Sequence, residues 1–336
     1  MIVDRLAHLP PAVQLRGEYD VERLRRDLRA LEDAPWRHKA AYSSAPEGPR
    51  TGQQAWSCLP LHNQGGDPAR TDPGGPGTAD FAPTPWLERA PYLREVVTGL
   101  PGRLRSARLL GLAPGGCSAL HRDTPYGFAS GWLRLHVPIT TNSAATLVID
   151  DETHHWAPGN LWYGDFDRPH KVENRGGSTR VHLVVDVDVT TDVLDLFPAH
   201  YVRALPSEEI LYRRPELPLR DAERFACRFA VPGGQYLFAT EPWPAVGPEP
   251  CVATVQPAGD GRLRLTTTDG VEVTLVHTGG GTFRYLGWTD MHTLAVRPKA
   301  TSAAVRWRYR AGAVRVDAAC RPAVTSRPQP AGRGTA

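Results

Sequence analysis

His121 and Asp123 stand two positions apart in the run Leu120-His121-Arg122-Asp123. In extended backbone that spacing puts an imidazole and a carboxylate on one face, where both can bind a single metal ion. His170 follows 49 residues after His121, past at least two strand signals, so it can arrive from another strand as a third ligand. Two histidines and one carboxylate make up the ligand set of non-haem iron(II) oxygenases, which leaves other positions on the metal open. Those positions suit a bidentate 2-oxo acid and dioxygen. Arg180 comes ten residues after His170. Its planar guanidinium matches the second carboxylate that such a cosubstrate carries at its far end. A lone H-x-D is a common pattern in a chain with twelve histidines; the arginine at that spacing makes the set specific.

These residues need strands to position them. Trp132–Ile139 (WLRLHVPI) alternates, with Trp132, Arg134 and His136 on one face and Leu133, Leu135 and Val137 on the other. Ala107–Leu112, Thr146–Ile149, Leu161–Gly164 and Arg180–Val187 read as further strands, with Gly-rich turn signals at Pro114-Gly115-Gly116 and Arg175-Gly176-Gly177. Several short strands with regular turns predict a sandwich or a barrel. Ahead of them, Tyr19–Asp33 has apolar residues at Val21, Leu24, Leu28 and Leu31, which is helical spacing, with Asp20 as N-cap. A strand over 54–61 and a short helix over 92–98 follow. The Gly- and Pro-rich stretch 63–77 between them reads as a loop, either a lid or a plain connection.

The stretch from Ala107 to Val187 resembles the aspartyl/asparaginyl β-hydroxylase family of Fe(II)/2-oxoglutarate-dependent oxygenases. The matching pieces are His121-Arg122-Asp123, Arg134-Leu135-His136-Val137-Pro138-Ile139, Pro158-Gly159-Asn160-Leu161-Trp162, Pro169-His170 and Arg180-Val181-His182-Leu183-Val184-Val185-Asp186. The resemblance is closest to the bacterial L-proline cis-4-hydroxylase-like branch, and a weaker match at Asn63-Gln64-Gly65 extends it upstream. It implies a mainly β fold: a double-stranded β-helix (jelly-roll, cupin-like) core with flanking N-terminal helices. By the same resemblance His121, Asp123 and His170 ligate Fe(II), and Arg180 pairs with the distal carboxylate of 2-oxoglutarate. Arg134 and His136 contact the cosubstrate, while Asn63, Gln64 and Trp162 are candidate substrate contacts. Because Asp123 is retained, hydroxylation with O2 is expected rather than halogenation. The expected substrate is a free amino acid, such as proline or pipecolate, in natural-product biosynthesis; a peptidyl or carrier-bound residue is the alternative. A cupin-like sensor module that binds metal without turnover is a reading of another class, and Arg180 argues against it.

The expected division of the chain is an oxygenase domain over 1–200 (core 106–187), a linker over 201–221, a β-rich accessory domain over 222–320 and a disordered tail over 321–336. In the accessory domain, Asp269-Gly270 is a hairpin signal. This region departs from the proline-hydroxylase pattern, whose C-terminal part is expected to be helical; it could cap the pocket, dock a partner or form a homodimer. A formal net charge of +3 over 336 residues does not suit a polyanion, so no nucleic-acid partner is expected. Five dispersed cysteines without a C-x-x-C pair, and the lack of a signal-peptide pattern or a membrane-length apolar run, predict a cytoplasmic protein without a membrane partner.

Overall fold

The computed structural model describes residues 6–38, 56–123, 125–231, 251–298 and 303–323. Eleven strands build the N-terminal unit: β1 (Ala12–Glu18), β2 (Arg37–His38), β3 (Trp56–Gln64), β4 (Phe81–Pro83), β5 (Leu104–Leu112), β6 (Trp132–Thr140), β7 (Ala145–Ile149), β8 (Glu152–His154), β9 (Asn160–Gly164), β10 (His170–Asn174) and β11 (Arg180–Asp188). The large sheet has the order β1-β9-β6-β11-β5-β3-β2, with β4 pairing to β3, and a small sheet has the order β10-β7-β8. Leu112 of the large sheet packs with Leu147, Ile149 and Val172 of the small one. This is the expected jelly-roll-like β architecture. Among the described residues no helix is long and apolar enough to cross a membrane.

The alternation read in β6 is real, but both of its faces are covered. Leu133, Leu135, Val137 and Ile139 have no exposure and pack with Leu24, Leu93 and Val97 of the helices α1 (Val21–Arg29) and α3 (Pro91–Gly99). Between them lies the single turn α2 (Pro85–Glu88). The other face of the sheet is polar and equally enclosed. Arg108, Arg134, His136, Arg180, His182 and Asp186 all point there and all are buried. Charged side chains tolerate such a place only when partnered, and their partners organise the site.

The helices are fixed by polar caps. Asp20 caps α1 through its Oδ1, which accepts from the backbone N–H of Glu22 (2.9 Å) and Arg23 (3.0 Å). Two turns later Asp27, on the same helix, is buried. Its Oδ2 accepts from the N–H groups of Tyr92 (2.7 Å) and Leu93 (2.8 Å), so α1 caps the start of α3.

The C-terminal β region closes into a barrel: β12 (Cys227–Ala230), β13 (Val252–Pro257), β14 (Leu263–Thr267), β15 (Glu272–Gly279), β16 (Thr282–Tyr285), β17 (His292–Pro298), β18 (Ala303–Ala311) and β19 (Val314–Pro322), with β12 bonded to both β13 and β19. Asp269-Gly270 turns β14 into β15 as expected, with Gly270 at φ 89°. β19 and the closure were not foreseen. The barrel core continues into the N-terminal unit, because Tyr126 and Trp132 belong to the same apolar cluster as Phe283, Trp288 and Trp307.

The expected linker 201–221 is not a free spacer. After α4 (Thr191–Leu194) and α5 (Ala199–Ala204), residues Leu205, Ile210 and Leu211 are buried. Leu211 N–H donates to Phe128 O (2.9 Å) and Leu217 N–H to His277 O (2.9 Å). Apolar residues at 205, 210 and 211 need cover, and the core supplies it. Of the expected tail, residues 324–336 lie outside the described residues.

Replacing Asp27 with Ala removes two buried hydrogen bonds at the head of α3 and is expected to lower stability by about 1–2 kcal/mol in urea unfolding. A change below about 0.3 kcal/mol would show that α3 does not depend on this cap.

Candidate active site

His121 and His170 face each other as a hydrogen-bonded antiparallel pair: His121 N–H donates to His170 O (3.0 Å) and His170 N–H to His121 O (2.8 Å). Their rings are 4.2 Å apart. The third ligand therefore comes from directly opposite, where β10 pairs with β7 on one side and with the segment before His121 on the other. Asp123 is tethered to the next turn, its N–H donating to Phe166 O (2.8 Å). One ligand atom from each of His121, Asp123 and His170 lies within 4.8 Å of the others.

The donor set fits a divalent metal in its detail. His121 Nδ1 sits 2.8 Å from Ala119 O, and His170 Nδ1 sits 2.9 Å from Arg168 O. A carbonyl at Nδ1 fixes the proton there and leaves Nε2 as the donor to a metal, the usual supporting arrangement around ligating histidines. Asp123 Oδ1 lies 3.6 Å from His121 Nε2. Its Oδ2 accepts from Arg134.

Arg134 is where the structure departs most from the sequence reading. It lies on the expected face, but its guanidinium is spent within the protein. It donates to Asp123, to Asp186 Oδ1 (2.9 Å) and to the Tyr126 hydroxyl, and stands 3.9 Å over the Tyr126 ring. Burial alone would depress its pKa, but Asp186, Tyr126 and Asp123 reverse this and raise it. Asp186 accepts as well from Ser106 Oγ (2.7 Å) and Arg108 (3.3 Å). Burial opposes its ionisation, and Arg134 and Arg108 overcome that and keep its pKa low. Asp186, Arg108 and Tyr126 were not singled out from the sequence. The available signal was an Asp at an alternate position of the strand Arg180–Asp188, on the same face as Arg180 and His182.

Arg180 differs. It is buried and donates to His182 Nδ1 (3.0 Å), yet among the described residues no carboxylate pairs with it. Burial pushes its pKa down, and no anion among the described residues offsets that. It lines a small cavity with Thr146, Leu147, His154, Trp156 and His182. His182 is held neutral by burial, by Arg180 and by His136. With Nδ1 accepting, its Nε2–H is a buried donor with no partner, and so is Trp156 Nε1–H. A cation and two unused donors around one cavity suit a carboxylate.

His136 lies among Trp156, Phe166 and His182 at ring distances of 5.0–5.6 Å, with Nδ1 3.4 Å from His182 Nδ1. It thus adjoins both the cavity lining and, through Phe166, the candidate ligand His170. Trp162 stacks on Trp156 (5.4 Å) and its indole N–H is buried without a partner.

Asn63 is tied into its own loop, and Gln64 is enclosed beside the barrel turn with its buried amide nitrogen unpartnered among the described residues. Asn63 is fully engaged by its own loop, donating to Asp67 O (2.7 Å) and Arg70 O (2.8 Å) and accepting from Asp67 N–H (2.9 Å). Gln64 is enclosed between Gly77 and Gly287, where an added Cβ on either glycine would meet its amide at 2.7 Å. The loop they anchor is bonded to the barrel: Gly77 N–H donates to Leu286 O (3.1 Å) and Gly77 O accepts from Thr274 N–H (2.9 Å).

Comparison with known proteins adds to this geometry. A family model described as aspartyl/asparaginyl beta-hydroxylase matches residues 18–189. The L-proline cis-4-hydroxylase of Rhizobium meliloti (strain 1021) is 28% identical over 196 residues, which cover 55% of this chain and 62% of that protein. L-proline cis-3-hydroxylase 1 of a Streptomyces species is 29% identical over 180 residues, 51% of this chain and 58% of that one. The chain thus spans less than two thirds of the length of the curated relatives it matches. Among solved structures, an oxidoreductase of the 2OG-Fe(II) oxygenase family from Burkholderia pseudomallei aligns with TM-score 0.35 at 11% identity, covering 53% of this chain and 84% of its own.

His170→Ala removes one of three ligands and is expected to weaken Co(II) binding more than a hundredfold, beyond the ~10–100-fold typical of a supporting residue. The check is a Co(II) titration on protein whose circular dichroism matches the parent. Unchanged affinity would take His170 out of the metal site.

Proposed function

The chain belongs to the aspartyl/asparaginyl β-hydroxylase family, and from that premise we propose that it is an iron(II)/2-oxoglutarate-dependent dioxygenase that hydroxylates a free amino acid, with proline or a similar cyclic amino acid as the first candidate. The observation that carries the reading is the pairing of a two-histidine, one-carboxylate cluster with a buried arginine that has no carboxylate partner among the described residues. A metal-binding sensor has no use for that arginine. A 2-oxo dicarboxylic acid does, because one end chelates the metal and the other needs a cation. The named relatives, both proline hydroxylases, support the substrate class.

Fe(II), when bound by His121, Asp123 and His170, supplies the activation of dioxygen that couples loss of carbon dioxide from 2-oxoglutarate to hydroxylation of a C–H bond. The protein's residues supply the rest. Carbonyls at Ala119 and Arg168 hold the two imidazoles in the tautomer that presents Nε2. Arg134 holds Asp123 in place through a direct ion pair. Arg180 and His182 Nε2–H receive the distal carboxylate in a site walled by Trp156 and Leu147. There charge-assisted bonds are strong because little water competes.

The assay is succinate formation from 2-oxoglutarate with Fe(II) and a panel of amino acids. Succinate is expected to rise with proline or pipecolate, and the amino acid should gain one oxygen atom by mass. Consumption stimulated only by a peptide or carrier-bound residue would move the substrate class, and no consumption at all would contradict the reading. Arg180→Met is expected to weaken 2-oxoglutarate binding by roughly a hundredfold, the scale of removing one member of a buried charged pair. The same change should leave the unliganded protein as stable or more stable, since an uncompensated buried charge is removed. Unchanged cosubstrate affinity would refute the clamp.

A further inference from the structure

The turn between β16 and β17, Leu286–Met291, is the part of the barrel that enters the oxygenase unit. Gly287 O accepts from Arg105, whose guanidinium also pairs with Asp188 (3.1 Å) and lies 4.1 Å over the Trp132 ring. Trp288, buried, meets Trp132 with ring centres 5.5 Å apart. Trp132 stacks on Tyr126 at 4.5 Å, with the planes 8° from parallel. Tyr126 in turn presents its ring and hydroxyl to Arg134, which bonds the candidate ligand Asp123. The turn itself is rigidly held. Asp290 is bound by Arg284 (3.0 Å) and by Arg214 through Nε (2.8 Å) and backbone N–H (3.0 Å). Gly287, at φ 78°, has room for no side chain, since a Cβ would come within 2.2 Å of Gly75 O.

We propose that this turn of the C-terminal barrel, through Trp288, is a positioning element of the oxygenase site: it backs the Trp132–Tyr126 stack and thereby fixes Arg134 against Asp123. The barrel is then a structural component of the metal site. The side chains between Trp288 and Asp123 are packed ring on ring and ring on guanidinium, so Trp288 cannot be shortened without leaving Trp132 room to tilt. Tyr126 follows Trp132, and Arg134 then loses a hydrogen-bond acceptor and the flat surface it rests on. This inference rests on the reading of His121, Asp123 and His170 as metal ligands.

The test compares two barrel tryptophans in the full chain. Trp288→Leu disturbs the relay. Trp307→Leu disturbs the same apolar cluster behind Trp288: Trp307 stacks on Tyr309 and meets, at a tilt, His292, whose Nδ1 accepts from Trp288 Nε1 (2.9 Å), and it has no ring contact with Trp132 or Tyr126 among the described residues. Both should lower the melting temperature. Co(II) is the probe, because its d–d absorption reports ligand geometry as well as occupancy. Trp288→Leu is expected to weaken Co(II) binding about tenfold and to alter the absorption, in the range of outer residues that orient ligands. Trp307→Leu should leave affinity and spectrum as in the parent. If Trp288→Leu fails to fold, Trp288→Phe is read the same way. Equal effects from the two sites, or none from Trp288, would overturn the relay while leaving the metal site standing. If the unaltered chain binds no Co(II), the metal-site reading fails and the relay with it.

Discussion

Arg134 is a cation sealed inside a β-structure, and Asp186 keeps it there. The two are direct cross-strand partners on β6 and β11. Taking either charge out of water alone costs several kcal/mol, so each depends on the other and on Ser106, Arg108 and Tyr126 around them. The consequence reaches the metal site, because the same guanidinium holds Asp123. It also fixes the register of the sheet. Slipping β11 by one residue against β6 would turn Asp186 toward the leucines and valines of the helix side and turn Arg180 and His182 out of the cavity. One ion pair thus places the candidate carboxylate ligand and, through register, the arginine proposed to bind the anion.

Arg134 and Arg180 show how burial separates structure from ligand recognition. Both are arginines on the polar face of one sheet, and both are enclosed. Arg134 finds two carboxylates, and its charge is neutralised within the fold. Among the described residues Arg180 finds a neutral imidazole nitrogen and no carboxylate, so its charge remains available to an incoming anion. Burial, with Arg180 and His136 beside it, keeps His182 neutral and leaves Nε2–H as a further donor. A single-sheet alternation of charged and aromatic residues therefore encodes a metal side, an anion side and the aromatic wall between them.

Much of this was legible in the sequence where the signal is local. The H-x-D pair, the alternation of Trp132–Ile139 and the helix after Asp20 are all set by neighbours within a few residues, and all appear as read. Arg180 was singled out by spacing and by family resemblance, and the structure places it buried beside His182. What sequence could not show depends on pairing across long separations. His121 opposite His170, Asp27 capping α3 from α1, and Arg134 turned to Asp186 are each contacts between distant strands or helices. Asn63 and Gln64 illustrate the converse. Resemblance marked them for substrate, but a loop rich in glycine and proline has backbone groups to satisfy, and the Asn63 amide satisfies them. Barrel closure was out of reach for a similar reason: alternation in eight strands is the same whether or not the first meets the last.

The central claim is that one end of a 2-oxo dicarboxylic acid is held at a metal and the other at Arg180. Its most direct test is a crystal structure of the protein grown without oxygen, with Mn(II) and 2-oxoglutarate. The account predicts the metal on His121 Nε2, His170 Nε2 and the Asp123 carboxylate, with the far carboxylate of 2-oxoglutarate on Arg180 beside His182. A metal bound elsewhere, or a cosubstrate whose far carboxylate leaves Arg180 unpaired, would contradict it.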